Sequence, residues 1–395
     1  MAFNFYRLLN RAANVTLIYD SSAQKMGSSE PSRYIMQLEK VYGFPVEHIE
    51  MTPEIHTSSP VSIEVPNRGF DDMRAHYLSH HEKAKEWFLS ASAINKYINC
   101  PLMFYMHYVQ GLNDDNEMSD FMDSGTFGTI VHDTLADCYN GPEALARGGM
   151  IDKDLITAFK RDRLNAAVER NIKKTYMHVP VAELATNTEP LTGEAFMLVD
   201  TIKSYVGFVL DYDLELIERQ GPFTVLECEK PHLMRDMPIG DTTLNFTYTP
   251  DRIDRLSDGM VRIVDYKTGS DLTSFSGIDA LFRSSKDRRK AVLQIFLYCH
   301  AYLIEHPELD GVMPVIYKLS SMKESGVLKG SSNGRSNKQV VYDKENSDVQ
   351  EFILRMQETV KALREEPFMQ APEGAPCCDY CHFIDFCRRT VSKDK

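Results

Sequence analysis

Asp251, Asp265 and Lys267 place two carboxylates and an amine within a short stretch of chain, in the runs Pro250-Asp251 and Asp265-Tyr266-Lys267. In an extended strand, side chains at i and i+2 share a face, so Asp265 and Lys267 project together while Tyr266 faces away. A turn at Ser257-Asp258-Gly259 folds the preceding strand back and sets Asp251 beside Asp265. Two hard carboxylate oxygens suit Mg²⁺, and a lysine beside them can orient an attacking water and stabilise charge on a phosphate. Acid and base alternate on many exposed strands, so the tripeptide alone says little. Here the mostly apolar run Val261 to Val264 leads into the aspartate, and a carboxylate at the end of a buried strand calls for a partner or a cation.

Other residues have the right chemistry to join this centre. His132 lies beside an apolar helical stripe of Val131, Leu135 and Cys138. It reads either as a hydrogen-bonded histidine at the edge of the core or as a further metal ligand, and imidazole suits Mn²⁺ better than Mg²⁺. Gln294 and Tyr298 are one helical turn apart and share a face, as they would on any amphipathic helix with a polar edge.

A second centre is made of cysteines. The eight are Cys100, Cys138, Cys228, Cys299, Cys377, Cys378, Cys381 and Cys387, and the last four crowd together. Cys378, Cys381 and Cys387 offer three thiolates, and a fourth must come from elsewhere. Cys377 is awkward because it adjoins Cys378, whereas Cys100 precedes Pro101 at a helix start. Thiolate sets select zinc or an iron–sulfur cluster, and spacing leaves both open. Either would close a long loop and act as a structural staple.

These centres need elements to position them. The chain has 395 residues, 43% hydrophobic and 26% charged, which suits a globular protein with more than one domain. No apolar run is long enough to span a membrane and no secretory pattern opens the sequence, so a cytoplasmic location is expected. A net charge of −13 speaks against a broadly basic surface, leaving Arg283, Lys286, Arg288, Arg289 and Lys290 as a local basic cluster, either facing nucleic acid or solvating a helix start. No G-x-x-x-x-G-K-[ST] phosphate cradle is present, which excludes a complete ATPase.

Residues 1–85 read as a helix, a short strand at Val15–Tyr19, a helix near Pro31–Tyr42 and a polar stretch. Helices are predicted from Ser90 to Val109, with Ser90 or Ser92 as N-cap, and then over 127–139, 153–173 and 194–218. An acidic exposed loop, 113–123, lies among them. After Gly221-Pro222, FTVLECEKPHLMRD, TTLNFTYTPDRIDRL and MVRIVDYKTG read as three consecutive strands. A helix over 287–305, a strand over 312–319, a Ser/Gly/Lys-rich loop over 320–337 and a helix over 347–364 complete the pattern.

The order His132, Asp251, Asp265-Tyr266-Lys267, Gln294-x3-Tyr298 resembles the RecB-like branch of the PD-(D/E)XK nucleases, and Cys100 with C-x2-C-x5-C resembles its iron–sulfur subset. SASAINKYINCPLMFYMHYVQGL and FGTIVHDTL, with the terminal cysteines, are most similar to the nuclease region of AddB-type helicase–nuclease subunits, over about residues 88–390. The resemblance implies an α/β, restriction-endonuclease-like mixed sheet flanked by helices, with a helical insertion and a cluster staple joining the two ends of a domain spanning 86–395. It implies Asp251, Asp265 and His132 as ligands to Mg²⁺ or Mn²⁺, Lys267 as the catalytic lysine, and Gln294 and Tyr298 as active-site or DNA-contacting residues. Cys100, Cys378, Cys381 and Cys387 would hold a [4Fe–4S] cluster. The function implied is a DNA exonuclease on single-stranded ends, acting in double-strand-break repair or recombination with a helicase–nuclease partner. A catalytically silent, cluster-stapled DNA-binding subunit and a CRISPR-adaptation nuclease are the competing readings. Residues 1–85 look like a helicase remnant, with Arg11 where such helicases place their last motif's arginine. The family usually has glycine three residues before the first aspartate. This chain has Tyr248, a bulk expected to narrow the approach of DNA.

Overall fold

A computed structural model of the chain describes residues 2–10, 12–18, 32–49, 62–80, 86–112, 122–269, 274–275, 277–286, 288–321, 326–327 and 340–389. Contacts divide the chain into two units, Met1–Ser59 and Pro60–Lys395.

The smaller unit contains α1 (Ala2–Leu9) and α2 (Arg33–Met36), which runs on into a wider helical turn, Gln37–Val41. The Tyr6 hydroxyl donates to Gln37 Oε1 at 2.7 Å, and Phe5 stacks on Tyr34 at 5.0 Å. The strand expected at Val15–Tyr19 does not form over its described part, 15–18. It finds no strand partner among the described residues, and a lone short strand is not stable. Arg11, Tyr19 and most of the acidic loop, 113–121, lie outside the described residues.

The larger unit opens with β1 (Glu64–Val65) and α3 (Phe70–His80), both on the N-terminal side of residue 86, followed by β2 (Leu89–Ser90). Ser90 caps α4 (Ala91–Asn99) by accepting from the Ala93 N–H, as predicted. Helices α5 (Pro101–Phe104), α6 (Ser124–Tyr139) and α7 (Pro142–Ala146) follow. Then come β3 (Met150–Ile151), α8 (Lys153–Ala158), α9 (Leu164–Thr175) and the long α10 (Gly193–Gln220).

The three strands predicted next are five. The first run breaks into β4 (Phe223–Cys228) and β5 (His232–Ile239), and the second into β6 (Thr242–Tyr248) and β7 (Arg252–Arg255), while β8 (Val261–Lys267) is intact. Pro231 and Pro250 mark both breaks, since proline has no N–H to offer a ladder. The chain continues through α11 (Asp279–Phe282), α12 (Lys290–Glu305), β9 (Gly311–Lys318) and β10 (Gly326–Val327). It then forms β11 (Tyr342–Asp343), α13 (Ser347–Glu365) and β12 (Phe368–Met369). Within the expected loop 320–337, residues 326–327 pair as β10, and 322–325 and 328–337 lie outside the described residues.

Among the described residues, the main sheet is seven-stranded and mixed, in the order β10-β9-β8-β7-β4-β3, with β11 also on β9. Strands β8 and β9 are parallel and joined by α12, the crossover that parallel pairing requires; β4, β7 and β8 are antiparallel neighbours. A smaller sheet runs β2-β6-β5, and β1 pairs with β12. Side chains alternate across β8. Val261 and Ile263 join a core with α4, α12 and α13, while Val264 and Tyr266 join the opposite core under α6, α8, α9 and α10. The result is a mixed α/β architecture with helices on both faces of the sheet. Among the described residues no helix is long and apolar enough to cross a membrane.

Candidate active site

Strand β8 supplies the first two groups. Asp265 and Lys267 share the α12 face of the sheet, with Asp265 buried and Lys267 Nζ 2.8 Å from its Oδ2. On α12, Gln294 and Tyr298 face the same point. Gln294 Nε2 donates to Asp265 Oδ1 at 3.1 Å and to the Tyr298 hydroxyl at 2.9 Å, and Lys267 Nζ donates to Gln294 Oε1 at 3.1 Å. Lysine and glutamine thus hold the aspartate in a closed set of bonds, and the tyrosine hydroxyl accepts from the glutamine.

Asp251 lies opposite Asp265 in the antiparallel register, one residue beyond the Arg252–Val264 pair. Its Oδ2 accepts from the Tyr266 N–H, and its Oδ1 lies 3.4 Å from His132 Nδ1. His132 comes from the other face, on α6, whose start is capped by Asp123 accepting from the Gly125 and Thr126 N–H groups at 2.8 and 3.0 Å. The buried stripe Val131, Leu135 and Cys138 seats that helix, and the His132 ring meets Tyr266 edge-on at 5.6 Å.

Sequence reasoning missed Glu229. It follows the last residue of β4, beyond a bulge between Val225 and Glu227, with φ +50°. Its N–H donates to Asp251 O at 3.1 Å, and its Oε1 lies 3.4 Å from His132 Nδ1. Left-handed backbone at a non-glycine residue costs free energy and gathers at functional sites, but nothing in E-K-P announces it.

His132, Glu229 and Asp251 form a compact group able to hold a metal ion, each offering one ligand atom with all of these within 4.8 Å of one another. Asp265 is outside that group, its carboxylate being turned to Lys267 and Gln294, so the expected trio of His132, Asp251 and Asp265 is not the one that stands closest together. An imidazole and two carboxylates are a suitable donor set for a divalent cation. Glu229 Oε1 and Asp265 Oδ2 are buried and each already faces a cationic side chain, His132 at 3.4 Å and Lys267 at 2.8 Å, so both stand where positive charge is drawn in.

The charges are coupled. Burial disfavours a charged His132 ring, yet Asp251 and Glu229 raise its pKa well above the ordinary value. Burial likewise pushes Asp251 up, but His132, Lys267 and the Tyr266 N–H outweigh it and hold the carboxyl below its usual range. Burial, opposed by Lys267 and reinforced by Asp251, raises Asp265 to about 6. Lys267 is held protonated against burial by Asp265 and Asp251.

The remaining candidates fall elsewhere. Tyr248 is buried, stacked on His232 at 4.6 Å with its hydroxyl on Glu305. It packs inward from β6, its ring 5.6 Å from that of Tyr298. Arg288 is buried, donating to Leu281 O and Asn95 O at 3.2 and 2.9 Å, while Arg289 donates to Ser274 O at 2.6 Å, so these two brace the loop before α12. Arg283 pairs with Asp279 and stays exposed.

The cysteines converge. Cys100, Cys377, Cys378, Cys381 and Cys387 line one small cavity with Met103, Ala371 and Arg389. The Cys100 sulfur accepts from the Ala371 N–H at 3.3 Å and the Met103 N–H at 3.4 Å, and Arg389 Nη1 lies 3.5 Å from the Cys378 sulfur. Burial first, and neighbouring thiols after it, raise Cys387 above the ordinary thiol range. Cys377 also donates to Asn99 O at 3.4 Å. Cys138 and Cys299 are packed in the cores.

No curated protein matches the chain. A model of the PD-(D/E)XK nuclease superfamily matches residues 88–388, a span that holds both centres. The chain therefore belongs to the PD-(D/E)XK nuclease superfamily, whose members are metal-dependent phosphodiester hydrolases.

Proposed function

We propose that this protein is a DNA exonuclease acting on single-stranded ends in double-strand-break repair or recombination, in the cytoplasm and beside a helicase–nuclease partner. The observation that carries the hydrolytic part is the junction of two groups at the edges of β7 and β8: His132, Glu229 and Asp251 on one side, Asp265 and Lys267 on the other. The preference for ends, the repair role and the partner rest on the resemblance to AddB-type nuclease regions. The same resemblance supports reading residues 1–85 as a helicase remnant and 86–395 as the nuclease domain.

In this reading His132, Glu229, Asp251 and Asp265 hold Mg²⁺ or Mn²⁺, which supplies Lewis-acid polarisation of the phosphodiester and activation of water. Lys267 orients the attacking water and offsets charge on the phosphate. Gln294 holds Lys267 and Asp265 in register, and Tyr298 holds Gln294. Cys100, Cys378, Cys381 and Cys387 hold a [4Fe–4S] cluster, a reading supported by the amide donors to the Cys100 sulfur. The fit is chemical, since thiolates suit iron or zinc and the cluster would join residue 100 to the segment after α13.

The test is end-labelled single-stranded DNA incubated with Mn²⁺ and either the wild-type protein or Lys267→Ala. Degradation by wild type alone is expected. Equal degradation by both would remove Lys267 from the chemistry, and degradation by neither would favour the silent DNA-binding subunit. Anaerobic purification should yield a brown, iron-containing protein; a colourless protein containing zinc would reverse the cluster assignment.

A further inference from the structure

Behind the ligand group lies a set of charges that the hydrolytic chemistry does not use. Asp213 of α10 and Arg252 and Asp254 of β7 are wholly buried, and Arg262 of β8 nearly so. Arg252 Nη1 donates to Asp213 Oδ2 at 2.6 Å, its Nε lies 2.8 Å from Asp254 Oδ2, and Arg262 grips Asp254 with two bonds of 2.7 and 2.8 Å. The Arg252 guanidinium also lies over the Tyr139 ring at 4.4 Å. Removing such charges from water is expensive, and well-packed apolar replacements of whole ion pairs are often as stable. The network therefore calls for a reason beyond stability.

Asp213 supplies one. Its carboxylate is bonded by three separate elements: the Tyr139 hydroxyl of α6 at 2.6 Å, Arg252 of β7, and the Tyr317 hydroxyl of β9 at 2.6 Å. Tyr139 lies two turns beyond His132 on one face of α6, and Arg252 directly follows Asp251. One carboxylate thus fastens the helix that carries His132 to the strand that carries Asp251. Tyr266, whose N–H holds Asp251 and whose ring meets His132 edge-on, stacks on Tyr317 at 5.8 Å and extends the same brace.

We infer that Asp213 is a positioning residue that sets the separation of His132 from Asp251 and thereby the affinity of the centre for a divalent cation. The inference rests on the reading of those two residues as ligands. It differs from a purely structural role because it assigns the larger consequence to the tyrosine with fewer bonds. Tyr139→Phe frees α6 from Asp213, whereas Tyr317→Phe removes a bond of the same length to the same carboxylate, and a longer one of 3.4 Å accepted from Arg252, yet leaves α6 tied to β7.

The test is Mn²⁺ affinity of the full chain, read from the electron paramagnetic resonance signal of the free ion, together with thermal melting. Loss of a group that orients a metal ligand typically weakens binding ~10–100-fold. We expect Tyr139→Phe to lose about tenfold and Asp213→Asn up to ~100-fold on that scale, with Tyr317→Phe within about twofold of wild type and melting no higher than Tyr139→Phe. Equal Mn²⁺ affinity in wild type and Tyr139→Phe, or equal losses in the two tyrosine variants, would overturn the inference. Should Asp213→Asn fail to fold, the tyrosine pair decides alone. Asp251→Asn separates the two levels: Mn²⁺ binding that survives this substitution means the ion sits elsewhere, and the ligand assignment falls with everything built on it.

Discussion

The carboxylate centre and the cysteine centre are assembled in opposite ways. Asp251, Asp265, Lys267, His132, Gln294 and Tyr298 stand in or beside regular elements, and their polar atoms largely answer one another. Cys377, Cys378, Cys381 and Cys387 sit in a short turn-rich segment after β12 and meet Cys100 at the first residue before α5. The first centre is built on strands and helices whose own pairing and packing hold its side chains. The second is a set of thiols, Cys100 buried and the rest half-buried, around a small cavity, in a segment with little regular structure to hold it. A cation at the first should add chemistry to a finished scaffold, whereas a metal at the second should help to complete the scaffold.

The comparison can be broken by experiment. The largest effect is expected from Lys267→Ala, with a ~10³-fold loss of DNA cleavage, comparable to removing a charge-stabilising donor from other hydrolytic sites, and a melting temperature close to wild type. A parallel collapse in melting temperature would mean that the carboxylate centre also builds the fold. Cys387→Ser should do the reverse, lowering the melting temperature by about 5 °C, on the scale of ~3 kcal/mol for opening a long closed loop, with loss of bound metal. Unchanged melting would remove the structural role. Glu229→Gln comes next: the Mn²⁺ concentration giving half-maximal cleavage should rise ~10-fold, and an unaltered requirement would remove Glu229 from the ligand group. Tyr298→Phe deletes only the hydroxyl that Gln294 engages, a loss of about 1 kcal/mol or ~5-fold in kcat. No change there would show that Gln294 needs no support.

Much of this was legible in the sequence. The i, i+2 spacing placed Asp265 and Lys267 on one face, the Asp258-Gly259 turn placed Asp251 opposite, and Gln294 and Tyr298 proved to face them from the crossover helix. His132 was found but only one of its two carboxylate partners was, because Glu229 reaches the group through a single left-handed residue after a bulged strand. That geometry leaves no periodic trace in E-C-E-K-P. Strand breaks at Pro231 and Pro250 lay inside runs that read as strand on both sides. The basic run before α12 carried a charge signal, yet Arg288 spends its donors on backbone carbonyls of Leu281 and Asn95. Tyr248 looked obstructive by size alone, and only the pairing of β6 with β5 shows which way it packs.

The antiparallel pairing of Glu64–Val65 with Phe368–Met369 has a consequence for synthesis. The first strand leaves the ribosome long before its mate exists, and Cys100 likewise precedes Ala371, which donates to its sulfur. During that interval the nascent chain carries an unmated edge and a solvent-accessible thiol, the kind of surface that recruits chaperones or misassociates. Translation speed and chaperone supply should therefore govern the yield of folded protein more strongly than they would in a domain closed by neighbouring segments.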